Sequence, residues 1–185
     1  MTRALRVALA AAFLMAGAPT APAGALTPPV VDPARLPTAG SPAPPGPTTQ
    51  LAPCATPVGG VAHGVDLTAL APYSRGAGQR IAVIDTGVSR DPRLAHLDAG
   101  GDYVSTGDGT QDCDGHGTAV AGIIADIAPA ATLLAIRQST MKFGASGDPA
   151  GSGYGDVDTM ARAVRTAADA GATVINISAV ACAAG

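Results

Sequence analysis

An α/β fold, a parallel sheet with helices on both faces, is predicted by the alternation of elements along this sequence. Short β-branched runs alternate with segments of helical character. Each of those segments is long enough to return the chain for a right-handed crossover to a parallel neighbour. The composition agrees: 47% of the 185 residues are apolar, Trp is absent, and Phe and Tyr number only two and three. Ala and Gly supply much of the apolar fraction, which suits helices packed closely on a sheet.

The first core strand is the run Arg80 to Ile84, which ends at Asp85-Thr86-Gly87 and reads as a buried strand followed by a turn. Gly-rich loops are expected from there through Asp112. From His116 the chain turns helical, with Val120, Ile123, Ile124 and Ile127 near one face. Thr132 to Ile136 is the next strand, Asp156 to Ala170 the next helix and Val174 to Ile177 the last strand. A surface loop is expected over Gly144 to Gly155, and a short helix over Val65 to Tyr73.

Upstream of this body the sequence changes character. Arg3 and Arg6 precede an apolar run from Val7 to Ala16, and Ala23-Gly24-Ala25 offers a small-x-small cleavage site, so residues 1–25 read as an export signal. The apolar run is about half of the roughly 20 residues that a membrane span needs, and no later stretch is long and apolar enough to span. Residues 26–57 are dominated by Pro, Ala, Thr and Gly and read as an extended arm. Residues 58–185 then form one domain. The formal net charge of −3, with no basic cluster, gives nucleic acid no electrostatic foothold.

In an open parallel sheet the reactive site lies beyond the carboxyl ends of the strands. Asp85 closes the first core strand and His116 opens the following helix, so both fall at that edge. A carboxylate beside an imidazole fixes its tautomer and stabilises the imidazolium formed when the ring takes a proton from a nucleophile. Gly87 is expected to permit a sharp turn, and Gly115 and Gly117 to leave room around the imidazole. An aspartic-protease reading of Asp85 is disfavoured, because that chemistry pairs two carboxylates and there is a single Asp-Thr-Gly.

Ile81-Ala82-Val83-Ile84-Asp85-Thr86-Gly87, followed by Asp114-Gly115-His116-Gly117-Thr118-Ala119-Val120-Ala121-Gly122, resembles the subtilisin-like serine proteases. Val174-Ile175-Asn176-Ile177-Ser178 is similar to that family's strand leading into the substrate-binding segment. Within the family the chain is similar to the mycosins, proteases associated with type VII secretion, through Gly101-Asp102-Tyr103-Val104, Asp112-Cys113-Asp114, Ile136-Arg137-Gln138-Ser139 and Cys182. The resemblance implies a subtilisin-like three-layer fold, incomplete at the C-terminus of this sequence. It also implies endopeptidase activity on protein or peptide substrates without a cofactor, with Asp85 and His116 as two triad members.

By the same resemblance Ser178 falls at a substrate-binding position and is not the nucleophile. The family's Gly-Thr-Ser-x-Ala motif does not occur in these residues, so the catalytic serine is expected beyond them. The implied location is the outer face of the cytoplasmic membrane or the cell envelope. The intact protein would carry an anchor helix there, and the type VII secretion membrane complex is the candidate partner. Its alternative is a catalytically inactive, truncated mycosin that acts only as a binding partner in the envelope.

There are three cysteines, and outside the cytoplasm thiols tend to pair. The expected disulfide joins Cys54 to Cys113, which would pin the arm beside the catalytic edge and stabilise the fold by about 4 kcal/mol on chain entropy. Cys182 is then left over. A metal site built from Cys113, His116, Asp112 and Asp114 is disfavoured, since neither a calcium-loop spacing nor enough zinc ligands are present. Asp102, Asp108 and Asp112 either bind a cation or solvate their loop, the second being preferred; His63 and His96 are expected to lie on the surface, and Arg137 to pair with a carboxylate.

Overall fold

The computed structural model describes chiefly residues 46–56, 75–147 and 153–179. The chain divides into a unit of residues 1–36 and one of residues 37–185; in the first, only Asp32 and Ala34 are described. The export segment, His63, Cys182 and most of the expected Val65–Tyr73 helix lie outside the described residues.

In the larger unit the elements run Thr48–Gln50 (β1), Arg80–Asp85 (β2), Leu97–Asp102 (β3), His116–Ile127 (α1), Thr132–Arg137 (β4), Phe143–Ala145 (β5), Val157–Asp169 (α2) and Val174–Ile177 (β6). Four strands form a sheet of order β3-β4-β2-β6 in which every neighbouring pair is parallel. Pleating explains the two cores. Ile81 and Val83 of β2, with Leu133 and Ala135 of β4, face Ala121 of α1. The intervening Ala82, Ile84, Leu134 and Ile136 face Ala163 and Ala167 of α2. Each helix therefore meets the sheet through small side chains, and the result is three layers with helices on both faces.

Three expectations are corrected. The Gly-rich stretch after Asp85 is not all loop, because Leu97–Asp102 forms the edge strand β3. It lacks a β-branched pattern because it runs against its neighbour on bare backbone: a Cβ on Gly100 would sit 2.7 Å from the Ala135 carbonyl oxygen. Its register shifts between Ala99 and Gly101, which is the bulge that glycine permits.

The face of α1 is also different. Gly117, Ala121 and Gly122 are the buried residues, and Val120 and Ile124 pack at their side. Ile123 and Ile127 remain 47% and 42% exposed. At 3.6 residues per turn, positions 117, 121 and 124 line one stripe and 123 and 127 fall to its flank. Small residues win the sheet-facing stripe because they let the helix axis come closer.

Finally, part of the expected Gly144–Gly155 loop is strand. Phe143–Ala145 pairs antiparallel with Thr48–Gln50 of the arm. The Thr48 hydroxyl donates to the Val104 carbonyl at 2.7 Å, and Cys54 and Cys113 are joined as a disulfide with S–S 2.07 Å. The arm is thus stitched to the body at several points.

Candidate active site

β2 delivers Asp85 to the carboxyl edge of the sheet with no solvent exposure. The strand ends there because Gly87 takes a φ of +101°, a left-handed conformation in which a Cβ would lie 2.1 Å from the Gln111 carbonyl oxygen. His116 is the first residue of α1, and its Nδ1 lies 2.7 Å from Asp85 Oδ1. The same oxygen accepts the Thr86 amide at 2.7 Å. The imidazole is 57% exposed, and its Nε2 has no hydrogen-bond partner among the described residues. One ring nitrogen is anchored to a buried carboxylate while the other is open to an incoming group.

That geometry sets the electrostatics. The hydrogen bond that His116 donates to Asp85 raises the His116 pKa above its ordinary value of 6.5; partial burial opposes this, and the charges of Asp85, Asp112 and Asp114 add to it. The imidazole is thereby made a stronger base than a free histidine.

Gly117 makes room, although not for the imidazole as its position in the sequence suggests. A Cβ there would meet the Gly87 carbonyl oxygen at 2.1 Å and Asp85 Cβ at 3.0 Å. The two glycine turns are packed back to back, which is how the carboxylate comes within bonding distance of the ring. At Gly115, with φ +85°, a Cβ would meet only Ala55 of the arm, at 3.7 Å, among the described residues.

The other singled-out residues are placed as follows. Ser178 lies one position beyond the Ile84–Ile177 pair; it is exposed, and its hydroxyl donates to its own neighbour Asn176 at 2.9 Å, not to Asp85 or His116. His96 is exposed. Arg137 is buried with Asp102. The carboxylates of Asp102, Asp108 and Asp112 do not merely solvate the loop; each receives donors from the chain itself. No group of three or more His, Cys, Asp or Glu side chains suited to a metal occurs among the described residues.

Sequence reading missed the role of Asp114, whose carboxylate accepts the Thr140 hydroxyl and the Met141 amide and so holds the chain after β4 against the His116 loop. It also overlooked the way α1 is capped. Gly115 offers no side chain, so the amides of Gly117 and Thr118 are satisfied by Thr86 Oγ1 and Asp112 Oδ2. An available signal was Asp112 itself, since an Asp in a loop commonly accepts the backbone amide two residues on, as Asp112 does from Asp114.

A buried Asp hydrogen-bonded to a solvent-facing His at the carboxyl edge of a parallel sheet is an arrangement able to activate a nucleophile, and residues 76–181 match the Peptidase S8 profile, the subtilase family. The chain belongs to the subtilase family. Mycosin-4 of Mycobacterium tuberculosis (strain ATCC 25618 / H37Rv) is 51% identical over 203 residues, covering 98% of this chain and 45% of the relative. Among solved structures, the MycP3 protease from the type VII (ESX-3) secretion system superposes with TM-score 0.70 at 40% identity, over 83% of this chain and 48% of that one. The periplasmic assembly from the ESX-5 inner membrane complex matches with TM-score 0.69 at 36% identity, over 85% and 49%. This subtilase sequence therefore spans about half the length of the mycosins it resembles.

Proposed function

We propose that this chain is the Asp–His portion of an exported, mycosin-type serine endopeptidase whose nucleophilic serine lies outside these 185 residues. The observation that carries the reading is the 2.7 Å bond from His116 Nδ1 to buried Asp85, on a ring that is otherwise open. Asp85 holds the tautomer with the proton on Nδ1, so Nε2 can take the proton of a serine hydroxyl as its oxygen bonds to the peptide carbonyl carbon. Collapse of the tetrahedral intermediate breaks the C–N bond, and the imidazolium returns that proton to the departing amine. Water, deprotonated by the same Nε2, then bonds to the acyl carbon, and as the C–O bond breaks the imidazolium returns the proton to the serine oxygen.

Residues 1–25 act as the export signal and residues 26–57 as an arm tied to the peptidase domain through Cys54 and Cys113. Ser178 is assigned to the substrate-binding segment. The substrate is a protein or peptide. Kinship with proteins named for type VII secretion, and the likeness to a periplasmic assembly, favour work at the outer face of the cytoplasmic membrane beside a secretion complex.

Reading the coding DNA past the codon for Gly185, together with fluorophosphonate labelling of the expressed product, tests the proposal. An in-frame Gly-Thr-Ser-x-Ala and a labelled serine are expected. A genuine stop codon with no labelling would make triad catalysis by this product untenable and favour a non-catalytic envelope partner.

A further inference from the structure

Asp112 receives more donors than a turn requires. Its Oδ1 accepts the Asp114 and Gly115 amides at 3.2 and 2.8 Å, the two bonds of a local turn. The same oxygen accepts the Thr86 hydroxyl at 2.8 Å, from the residue that follows Asp85. Its Oδ2 accepts both the amide and the hydroxyl of Thr118, at 2.8 and 2.6 Å, from the first turn of α1. Thr86 Oγ1 in turn accepts the Gly117 amide at 3.0 Å, and the Thr118 hydroxyl accepts the Ser89 amide at 2.9 Å. One carboxylate therefore ties together the turn that carries Asp85 and the helix start that carries His116.

We propose that Asp112 is a positioning residue for the Asp85–His116 pair, holding the two separately carried side chains at bonding distance by bridging Thr86 and Thr118. The inference rests on the reading of Asp85 and His116 as the catalytic pair, and it goes further by assigning the spacing of that pair to a second carboxylate that is hydrogen-bonded to neither side chain. A negative charge suits this place, because the amides of the first helical turn converge there. An asparagine does not substitute fully: its NH2 group would face either the Asp114 and Gly115 amides or the Thr118 amide, donors that cannot turn away.

The test is histidine NMR on the chain, with His63 and His96 as internal references. In the wild type, the His116 Nδ1 proton should give a downfield resonance that marks its bond to Asp85. In Asp112→Asn the inference expects that resonance to be lost and the His116 titration to move to lower pH, while His96 does not move. Thr86→Val, which keeps all charges, should also weaken the resonance, and Thr86→Ser should restore it. The Thr86 pair decides the matter if Asp112→Asn does not fold. A folded Asp112→Asn with both His116 signals unchanged overturns the inference, as does a Thr86→Val with the wild-type resonance. Asp85→Asn separates the two layers: if it too leaves His116 unchanged, the catalytic-pair reading falls, and if it alone abolishes the resonance, only the role of Asp112 does.

Discussion

Asp85 and Asp102 end the two strands that flank β4, and neither carboxylate is accessible to solvent. They are spent in opposite ways. Asp102 takes its donors from the turn that follows it, the Val104 and Ser105 amides and the Ser105 hydroxyl, at 2.6 to 2.8 Å. Its ionic partner Arg137 lies 3.5 Å away, is itself only 3% exposed, and packs its guanidinium 4.6 Å from the centroid of the Phe143 ring. Asp85 uses one oxygen, shared by the Thr86 amide and His116, and its partner reaches solvent. The same residue type at equivalent places in a sheet is structural when its partner is permanently charged and enclosed. In the proposed reading it is reactive when the partner is an imidazole, able to gain and lose a proton, that faces outward.

The comparison is broken most sharply by exchanging each carboxylate for its amide. In a polypeptide that carries the serine, Asp85→Asn should lower kcat about 10⁴-fold, since the wrong imidazole tautomer is then held, with little change in thermal unfolding. Asp102→Asn should do the reverse. It leaves Arg137 buried without its counter-charge, so denaturant unfolding should show a loss of about 3 kcal/mol while the His116 titration stays as it was. Equal effects of the two variants on stability would undo the distinction.

A smaller effect sharpens the contrast at the helix starts. α2 is capped by its own residue, the Asp156 carboxylate accepting the Thr159 amide at 2.7 Å, whereas α1 is capped from Asp112 and Thr86. Asp156→Ala should therefore cost about 1 kcal/mol in a thermal melt without touching His116.

The pH dependence of His116 comes last in size. Its raised pKa means that the folded chain binds this proton more tightly than the unfolded one. The group's contribution to stability is then complete below pH 6.5 and disappears as the pH rises through the higher folded value. Hydrolysis needs the neutral ring, so the acid limb of the activity profile should lie above 6.5 and fall back toward it in Asp85→Asn. A limb at or below 6.5 in the wild type would contradict the geometry.

What could be read in the sequence, and what could not, follows from how locally each feature is determined. β2, β4, β6 and α2 were legible because their own residues specify them: apolar runs for the strands, and for the helix an Asp156 that becomes its cap. Asp85 and His116 were legible because each sits at the end of such an element, beside glycines. β3 was not, since glycines at 100 and 101 hide a strand that exists by pairing with β4. Nor were β1 and β5, three residues each, which become strands only when the arm meets the body. The sheet-facing stripe of α1 was misread because small residues outcompete isoleucine where two backbones approach closely. The donors on Asp112 escaped notice because Thr86 is 26 positions away in the chain.

The run from Asp112 to His116 joins four parts of the molecule in five residues. Asp112 holds the Asp85 turn and the start of α1, Cys113 the arm, Asp114 the chain leaving β4, and His116 reaches Asp85 itself. The four side chains reach their several partners from one short run, so their directions depend on the count of peptide units between them. An insertion or deletion of a single residue here would turn several grips away from their partners at once, whereas many exchanges of side chain would disturb only one. Length is the property this segment can least surrender.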